Sequence, residues 1–167
     1  SKNEFLKNKD NIWAGCWNIN RNWPKDKMIP DDYPNTAPVF RAILKKEFQK
    51  INGFDVDGQY IDDWSLSRKL KINATLTEGA IYYHSNPDSL KEVFKQSRWI
   101  GKNYFISGNH LRRIKSLIIF NPLSSMIIGI FKLIKYRNLF FPFFKFVYDL
   151  GIMISVIRSI FGEPKYK

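Results

Sequence analysis

The sequence predicts an α/β domain in residues 1–105 and a basic, apolar helical region in residues 106–167. Short apolar segments that favour strands and longer amphipathic segments that favour helices occur together in the first part. The second part is dominated by two long apolar runs that carry scattered lysine and arginine. A content of 44% hydrophobic and 16% aromatic residues excludes a disordered chain and implies a substantial core.

The first two segments are predicted as a strand and a long loop. NIWAGCWNI at 11–19 is short, apolar and aromatic, which favours a buried strand. Residues 20–38 contain four prolines and little periodicity, so we expect a loop there. Cys16 is the single cysteine of the chain, which excludes an intramolecular disulfide, and we expect it to be a buried, small apolar residue.

Two helices are predicted in the middle of the chain. Residues 39–51 place apolar side chains on one face and lysines on the opposite face. Gly53 follows them and suits a left-handed cap at the helix end. Residues 62–72 repeat the amphipathic pattern and predict a second helix.

A strand and a third helix follow. Alternation in residues 74–84 predicts a strand, or a pair of strands, that ends at His84. The next apolar pattern predicts a helix over 86–105, with Asp88 or Ser89 as its N-terminal cap.

Two apolar runs, 116–134 and 138–162, are interrupted by charged residues. A spanning helix needs about 20 predominantly apolar residues, and here Lys132, Lys145 and Asp149 fall inside the runs. We therefore expect amphipathic or re-entrant helices that lie in a membrane interface, with the lysine side chains extending to the headgroups. Two alternatives remain open: the helices pack onto the domain as an ordinary core, or they span a membrane as a pair.

The net charge of +12 is concentrated towards the C-terminal end. Residues 93–167 contain 13 lysine and arginine residues against two acidic ones, Asp149 and Glu163. Basic residues within aliphatic runs favour an anionic membrane surface, since a binder of single-stranded nucleic acid requires basic residues interleaved with exposed aromatic ones. We expect no nucleic-acid partner, and a basic nucleic-acid-binding module is kept as an alternative.

Four of the 15 acidic residues lie within nine positions, at Asp55, Asp57, Asp62 and Asp63. A helix cap explains one aspartate but does not require four. An acidic cluster of this kind can bind a metal ion, act as a general base or bind sugar hydroxyls. Asp62 and Asp63 are therefore candidates for one of these roles.

His84 and the QSRW segment add further polar side chains. His84 ends a predicted strand, where it is either a metal ligand that reaches a cleft or a structural residue. Gln96 and Arg98 offer hydrogen bonds to hydroxyls or phosphates, and Trp99 offers a flat face to a sugar ring. The alternative for this segment is a surface helix with one buried tryptophan.

In their order and spacing, these segments resemble the second half of the family 2 glycosyltransferases, which have the GT-A fold. The resemblance covers residues 35–105, and the basic apolar tail is similar to the membrane-associated C-terminal helices of many members. It implies a partial GT-A fold that carries the acceptor side of the active site. The matching stretches are NTAPVFRAILKKEFQKINGFD at 35–55, DDWSLSRKL at 62–70, IYYH at 81–84 and QSRW at 96–99.

The resemblance implies a role for each candidate residue. Asp63 matches the catalytic base that takes the proton from the acceptor hydroxyl, and Asp62 matches the acidic residue before it. His84 matches a position that coordinates the metal or contacts the diphosphate. QSRW has one residue fewer between its Gln and Arg than the family motif, which argues against a processive polysaccharide synthase. Binding of the acceptor or the diphosphate is implied for Gln96, Arg98, Trp99 and Arg41.

The resemblance also implies inverting transfer of a sugar from a nucleotide-sugar donor to a lipid-linked or glycan acceptor, with a divalent metal (Mg or Mn). The reaction is expected at an anionic membrane surface, on the cytoplasmic face of the cell membrane. The family's nucleotide-binding half and its D-x-D metal motif have no counterpart in this sequence. We therefore expect them in an N-terminal half of the same protein, without which the chain is inactive. A non-catalytic membrane-bound adaptor with the same fold is the alternative.

Overall fold

The computed structural model describes residues 3–30, 32–55, 64–77 and 79–162, which form a mixed α/β fold. The predicted α/β class is confirmed, and the finer GT-A assignment stays a prediction. The strands are β1 (Asn3–Leu6), β2 (Thr36–Ala37), β3 (Ala74–Thr75) and β4 (Ile81–His84). The helices are α1 (Ile12–Arg21), α2 (Lys45–Lys50), α3 (Ser65–Leu70), α4 (Leu90–Gly101), α5 (Tyr104–Ser107), α6 (His110–Ile119), α7 (Pro122–Tyr136) and α8 (Phe141–Ile160).

The strand predicted at 11–19 is wrong, because these residues belong to helix α1. The side-chain oxygen of Asn11 accepts two backbone N–H hydrogen bonds in the first turn (2.9 and 3.0 Å) and so caps the helix. Trp13 and Trp17 lie one turn apart and pack edge-on against phenylalanine rings at the start of α8. Burial against α8 therefore selects a helix for an apolar composition that also suits a strand.

Two small sheets precede α4 in the described residues. β1 and β4 pair in parallel, with Leu6 opposite His84, and β2 pairs with β3 in antiparallel fashion. The prediction of a strand or a pair of strands that ends at His84 is confirmed, since β3 and β4 both fall within 74–84. Most of the described part of 20–38 is irregular, as its prolines predict.

The two central helices are shorter than predicted. Of the helix predicted over 39–51, only α2 forms, and none of its residues is buried. Its Phe48 ring packs edge-on against Phe54 (5.3 Å between ring centres), whereas Leu44 before the helix is exposed, so little packing supports a longer helix. Gly53 has a φ of +65° and confirms the predicted left-handed position. α3 lies inside the predicted helix 62–72, whose first two residues are outside the described ranges.

α4 and α8 pack closely together, and glycine makes the approach possible. α4 begins at the predicted cap, where the Ser89 hydroxyl accepts the N–H of Glu92 (3.3 Å). A Cβ on Gly101 would lie 2.9 Å from a carbonyl oxygen of α8, and a Cβ on Gly151 would lie 3.0 Å from a carbonyl oxygen of α4. Both glycines are therefore needed for this contact. The predicted division between residues 105 and 106 stays a prediction.

The main core lies between α1, α4 and α8. Cys16 is fully buried in it, as predicted, and burial raises the pKa of its thiol to about 12. The thiol is therefore protonated at neutral pH and is not a nucleophile. The other fully or nearly fully buried members are Trp17, Val93, Ile100, Phe141, Phe144, Ile152 and Val156.

The prediction that Lys132 and Lys145 extend to lipid headgroups is wrong. Lys145 is 5% exposed and donates to one carboxylate oxygen of Asp149 (2.7 Å), while the Ser125 hydroxyl donates to the other (2.7 Å). Lys132 donates to two carbonyl oxygens at the C-terminal end of α1 (2.6 and 3.0 Å), where the helix dipole favours a cation. Both lysines therefore have partners inside the fold. The contacts of Asp149 with Lys145 and Ser125 connect α8 to α7, and Lys132 connects α7 to α1.

Candidate functional site

One face of α4 and of the residue after it carries a row of cationic side chains. Lys91, Lys95, Arg98 and Lys102 recur at intervals of three or four residues, so they lie on the same face of the helix. Together with Trp99 they line an open concavity of about 620 Å³. None of the described residues that line it is acidic. The concavity therefore presents positive charge beside an aromatic ring.

The three predicted residues of the QSRW segment all line this concavity. Trp99 is 40% exposed, so the alternative of a buried tryptophan is wrong. Gln96 is exposed, and Arg98 is half-buried. The Nε atom of Arg98 is buried, and no residue that the structure describes accepts a hydrogen bond from it. An unpaired buried N–H is costly, and because this atom is shielded from the concavity, only the remaining N–H groups of the guanidinium could bind the oxygens of a phosphate or carboxylate there.

Asp62 and Asp63, the predicted catalytic pair, lie outside the described residues. The residues on either side of this segment, Asp55 and the start of α3, are described and contact each other. The N–H of Asp55 donates to the Ser65 hydroxyl (3.1 Å), and the Asp55 carboxylate pairs with Arg68 and the lysine after it (3.0 Å each). Asp55 therefore has a structural role, because these contacts hold α3 next to the turn that precedes Asp55.

Arg41 and His84 lie on one face of the β1–β4 sheet. Arg41 donates to both carboxylate oxygens of Glu4 (2.9 and 3.2 Å), and its guanidinium carbon lies 5.6 Å from the centre of the Tyr82 ring. Burial lowers the pKa of His84, against the opposing effect of the Glu4 charge. His84 is therefore neutral at pH 7, the state in which an imidazole binds a metal. Arg41, predicted to contact the acceptor or diphosphate, is engaged with Glu4.

A metal site was predicted with His84 as a ligand. Across the ranges 3–30, 32–55, 64–77 and 79–162, no three side chains of His, Cys, Asp or Glu come together in a way that could hold a metal ion. The acidic neighbour of His84 is Glu4, whose carboxylate already accepts both hydrogen bonds from Arg41. The described residues thus do not form a divalent-metal site on their own, and the metal role of His84 stays a prediction.

Three asparagines hold the chain just after His84 against α1, and no local sequence pattern predicts them. The Asn86 side chain donates to the Asn18 amide oxygen (2.8 Å) and to a carbonyl oxygen of α1 (3.2 Å). Asn8 exchanges two hydrogen bonds with the backbone of Asn86 (2.8 and 3.1 Å). The buried amides of Asn18 and Asn86 attach the end of β4 to α1. Their partners are 68 and 78 positions away in the chain, so local sequence patterns cannot reveal them.

α6, α7 and the start of α8 expose many large apolar side chains, which we call the apolar face. Along α7 they recur every three or four residues and form a stripe. Monomeric soluble proteins rarely expose contiguous apolar patches larger than a few hundred Å². The main members are Leu111, Ile114, Ile118, Leu123, Met126, Ile127, Ile130, Phe131, Ile134, Leu139 and Phe143.

A helix that crosses a bilayer needs about 20 predominantly apolar residues. None of the described helices combines sufficient length with sufficient hydropathy by itself. α6 and α7 meet both requirements only when taken together, and they are bent by 51° at their junction.

The predicted residues thus fall into three places. Gln96, Arg98 and Trp99 lie at the α4 concavity, Arg41 and His84 lie on the sheet face, and the acidic pair is outside the described ranges. Neither Arg41 nor His84 is among the described residues that line the α4 concavity. Comparison with protein-family models, with curated proteins and with solved structures found no match to this chain.

Proposed function

We propose that the chain is the acceptor-side, membrane-facing part of an inverting glycosyltransferase with a GT-A-type fold. One observation carries the proposal. One face of α4 carries the cationic, aromatic concavity. The face of α4 that contains Gly101 packs on α8, and α8 also packs against α6 and α7. The concavity and the apolar face therefore belong to one helical unit.

The apolar face supports docking on a membrane surface. Its aliphatic and aromatic side chains would enter the boundary between headgroups and acyl chains. Basic residues lie next to it, namely Arg112, Arg113 and Lys115 on α6 and Lys135 at the end of α7. Each basic residue near an anionic surface adds about 1 kcal/mol of attraction. In this proposal the protein acts at the cytoplasmic face of the cell membrane.

The α4 concavity supports binding of an acceptor that carries both phosphate and sugar. The Arg98 guanidinium suits phosphate oxygens, and the Gln96 amide suits hydroxyls. The exposed Trp99 indole offers a stacking surface for a sugar ring. A lipid-linked acceptor presents these groups close to a bilayer, so it fits a concavity on the same unit as the apolar face.

The chemistry in this proposal is direct displacement at the anomeric carbon. Asp63 takes the proton from the acceptor hydroxyl as that oxygen attacks, and Asp62 contributes charge beside it. The nucleotide-sugar donor is bound by a preceding portion of the protein. That portion would hold Mg or Mn through its D-x-D motif, and the metal would stabilise the departing diphosphate. His84 is the candidate in this chain for contact with the metal or diphosphate.

The transfer reaction is tested in the complete polypeptide by replacing Asp63 with Asn. We expect Asp63→Asn to abolish sugar transfer while donor binding and the unfolding temperature stay unchanged, because the amide cannot accept the proton. Asp57→Asn is the matched control, since Asp57 lies in the same acidic stretch of the sequence and the proposed reaction gives it no role. Transfer at the wild-type rate by Asp63→Asn would refute the assignment.

The membrane contact is tested by flotation with vesicles that contain anionic lipid. Phe131 on the apolar face and Leu44 before α2 are each 66% exposed, so they form a matched pair. We expect Phe131→Glu to reduce vesicle binding by about tenfold or more, because a charge replaces an inserted ring. Leu44→Glu should leave binding unchanged. An equal loss in both variants would contradict docking through the apolar face.

A non-catalytic membrane-bound adaptor is the second candidate. The observation that favours it is the apolar face of the described helices, which membrane binding alone would explain. The complete wild-type polypeptide separates the two candidates. Sugar transfer supports the enzyme, and vesicle binding without transfer over a panel of nucleotide sugars supports the adaptor.

A further inference from the structure

Another concavity lies between α1 and the turn that joins α7 to α8, and we call it the α1 cavity. Its volume is about 590 Å³, a size typical of ligand pockets. None of the described residues that line the α1 cavity also lines the α4 concavity. The α1 cavity is therefore separate from the site proposed for the acceptor.

The floor of the α1 cavity is an apolar face of α1 with open space at Gly15. Ile12, Gly15 and Ile19 recur at intervals of three and four residues, so they lie on one face of the helix. Gly15 is buried, yet nothing beyond its own turn of helix lies within 4 Å of a Cβ built on it. A ligand group can therefore approach the helix backbone closely at this position.

Contacts within the fold hold the opposite wall of the cavity in place. This wall is formed by Leu139 and Phe140 in the turn between α7 and α8. The Phe140 ring packs edge-on against Trp13 (5.9 Å between ring centres), and Lys132 attaches α7 to carbonyl oxygens of α1. The cavity is therefore formed before a ligand binds, which reduces the cost of binding.

The rim of the α1 cavity is cationic. Lys9, Lys25 and Arg137 come from three separate segments and line it, and Asp10 is the one acidic residue among the described lining residues. In the part of the chain that the structure describes, none of the three cationic side chains has a hydrogen-bond or ion-pair partner. A cleft with an excess of one charge concentrates ligands of the opposite charge, so this rim favours an anion.

The α1 cavity opens onto the apolar face. Leu139 lines the cavity and is also a member of the apolar face, and Phe140 beside it is exposed. An apolar chain can thus continue out of the cavity along these side chains while an anionic group stays at the rim. A ligand that fits this arrangement has an anionic head and an apolar tail.

We propose that the α1 cavity binds an anionic phospholipid, with the phosphate at the cationic rim and the acyl chains along the apolar face. Arginine and lysine bind phosphate oxygens through charge-assisted hydrogen bonds. The bilayer as the source of this lipid rests on the membrane docking in the proposed function. A lipid held by its headgroup fixes how the protein is oriented on the membrane, which insertion of apolar side chains alone does not.

Titration calorimetry of the complete polypeptide with short-chain phospholipids, kept below their micelle concentration, tests the site. The ligand is dihexanoyl phosphatidylglycerol, the zwitterionic control is dihexanoyl phosphatidylcholine, and glycerol phosphate is the control without acyl chains. We expect phosphatidylglycerol to bind about tenfold more tightly than either control, because only it offers both an anionic head and apolar chains. Equal affinity for the two lipids would overturn recognition of the headgroup charge. Equal affinity for glycerol phosphate would overturn a lipid as the ligand, and a lack of saturable binding would overturn the site.

A variant that fills the cavity locates the binding. Gly15→Leu places a side chain in the open space above α1, and we expect it to weaken phosphatidylglycerol binding by about tenfold without lowering the unfolding temperature. Gly15→Ala is the matched control, because one methyl group leaves most of this space open. Unchanged affinity in a folded Gly15→Leu variant, or equal losses in the two variants, would place the lipid elsewhere and overturn the proposal.

Charge variants test the rim without changing the packing of the helices. The double variant Lys25→Gln, Arg137→Gln removes two cations from the rim, and Lys46→Gln, Lys50→Gln removes two exposed cations from α2. We expect the first double variant to bind phosphatidylglycerol about tenfold more weakly and the second to bind it as the wild type does. Equal losses of affinity would show a response to net charge alone and would overturn binding at the rim.

The calorimetric test needs neither a bilayer nor sugar transfer, so its outcome is separate from that of the proposed function. A protein that docks on vesicles and transfers sugar without binding short-chain phosphatidylglycerol overturns the lipid site alone. A protein that binds this lipid in the α1 cavity but neither docks nor transfers sugar refutes only the proposed function.

Discussion

In the helical region formed by α1, α4, α7 and α8, aromatic rings and charged groups are buried with partners, whereas in the sheet region β4 leaves large side chains exposed. Lys145 and Asp149 are paired inside the helices, and the glycines of α4 and α8 allow close contact there. Within the residues that the structure describes, the β1–β4 sheet is covered along one edge only. The difference indicates that the interior of the helical region is held by its own packing, whereas fewer buried contacts hold the described part of the sheet region.

The largest effect is expected when the buried ion pair of the helical region is broken. Lys145→Met leaves the fully buried Asp149 carboxylate without its cation. We expect the free energy of unfolding, measured with urea, to fall by about 3–5 kcal/mol. The double variant Lys145→Met, Asp149→Leu removes both charges and should be as stable as the wild type or more stable. A single variant of wild-type stability would show that the pair does not hold the region together.

The next effect tests the close contact of α4 and α8. In Gly101→Ala the new Cβ would lie 2.8 Å from the Ser155 Cβ and 2.9 Å from a backbone oxygen, so the helices must separate. We expect a loss of about 1–3 kcal/mol in the same unfolding experiment. Gly15→Ala in α1 is the control, because no atom lies within 4 Å of its added Cβ. It should stabilise the protein by up to about 1 kcal/mol, and a comparable loss in both variants would contradict the packing argument.

A smaller effect is expected in the sheet region. Arg41→Met removes the partner of Glu4, whose side chain is nearly buried. Because Arg41 is half-exposed, the ion pair is screened by water, and we expect a loss of about 1 kcal/mol. Arg68→Met is the matched control, since its partner Asp55 keeps a second cation. Equal losses of unfolding free energy in the two variants would mean that the burial of Glu4 does not strengthen its ion pair with Arg41.

The last effect is a pH dependence that arises from Lys132, where solvent screening of a partly exposed group reduces the change in stability. Burial lowers the pKa of Lys132 from 10.5 to about 8, so between these values the native state binds fewer protons than the unfolded state. Stability from this group is complete above pH 10.5 and is lost as the pH falls through 8. We expect the unfolding free energy of the wild type to rise between pH 8 and 10.5 relative to that of Lys132→Met. Parallel profiles would show that Lys132 keeps its usual pKa.

Elements with local signals could be predicted from the sequence. The Ser89 cap fixes the start of α4, Gly53 adopts the left-handed conformation, and the alternation before His84 gives β4. α1 could not be distinguished from a strand by composition, because its helical state depends on packing with α8. Its one local signal was Asn11, which caps the helix and was not recognised as a cap.

The candidate site was predictable to the extent that its residues are neighbours in the chain. Gln96, Arg98 and Trp99 share one turn of α4, so their common concavity follows from the helix itself. The pairing of Arg41 with Glu4 joins residues 37 positions apart, and no local pattern indicates it. The partners of Lys132 and Lys145 were missed because charged residues within apolar runs resemble interfacial anchors until the helices are packed.

The burial of Cys16 makes the chain suitable for site-directed labelling. Since its single thiol is fully buried and has a pKa of about 12, maleimide reagents will leave it unmodified in the folded protein. A cysteine introduced at Phe131 on the apolar face would therefore be the reactive one, with no need to replace Cys16. An environment-sensitive fluorophore at that position would report directly how deeply α7 enters a lipid bilayer.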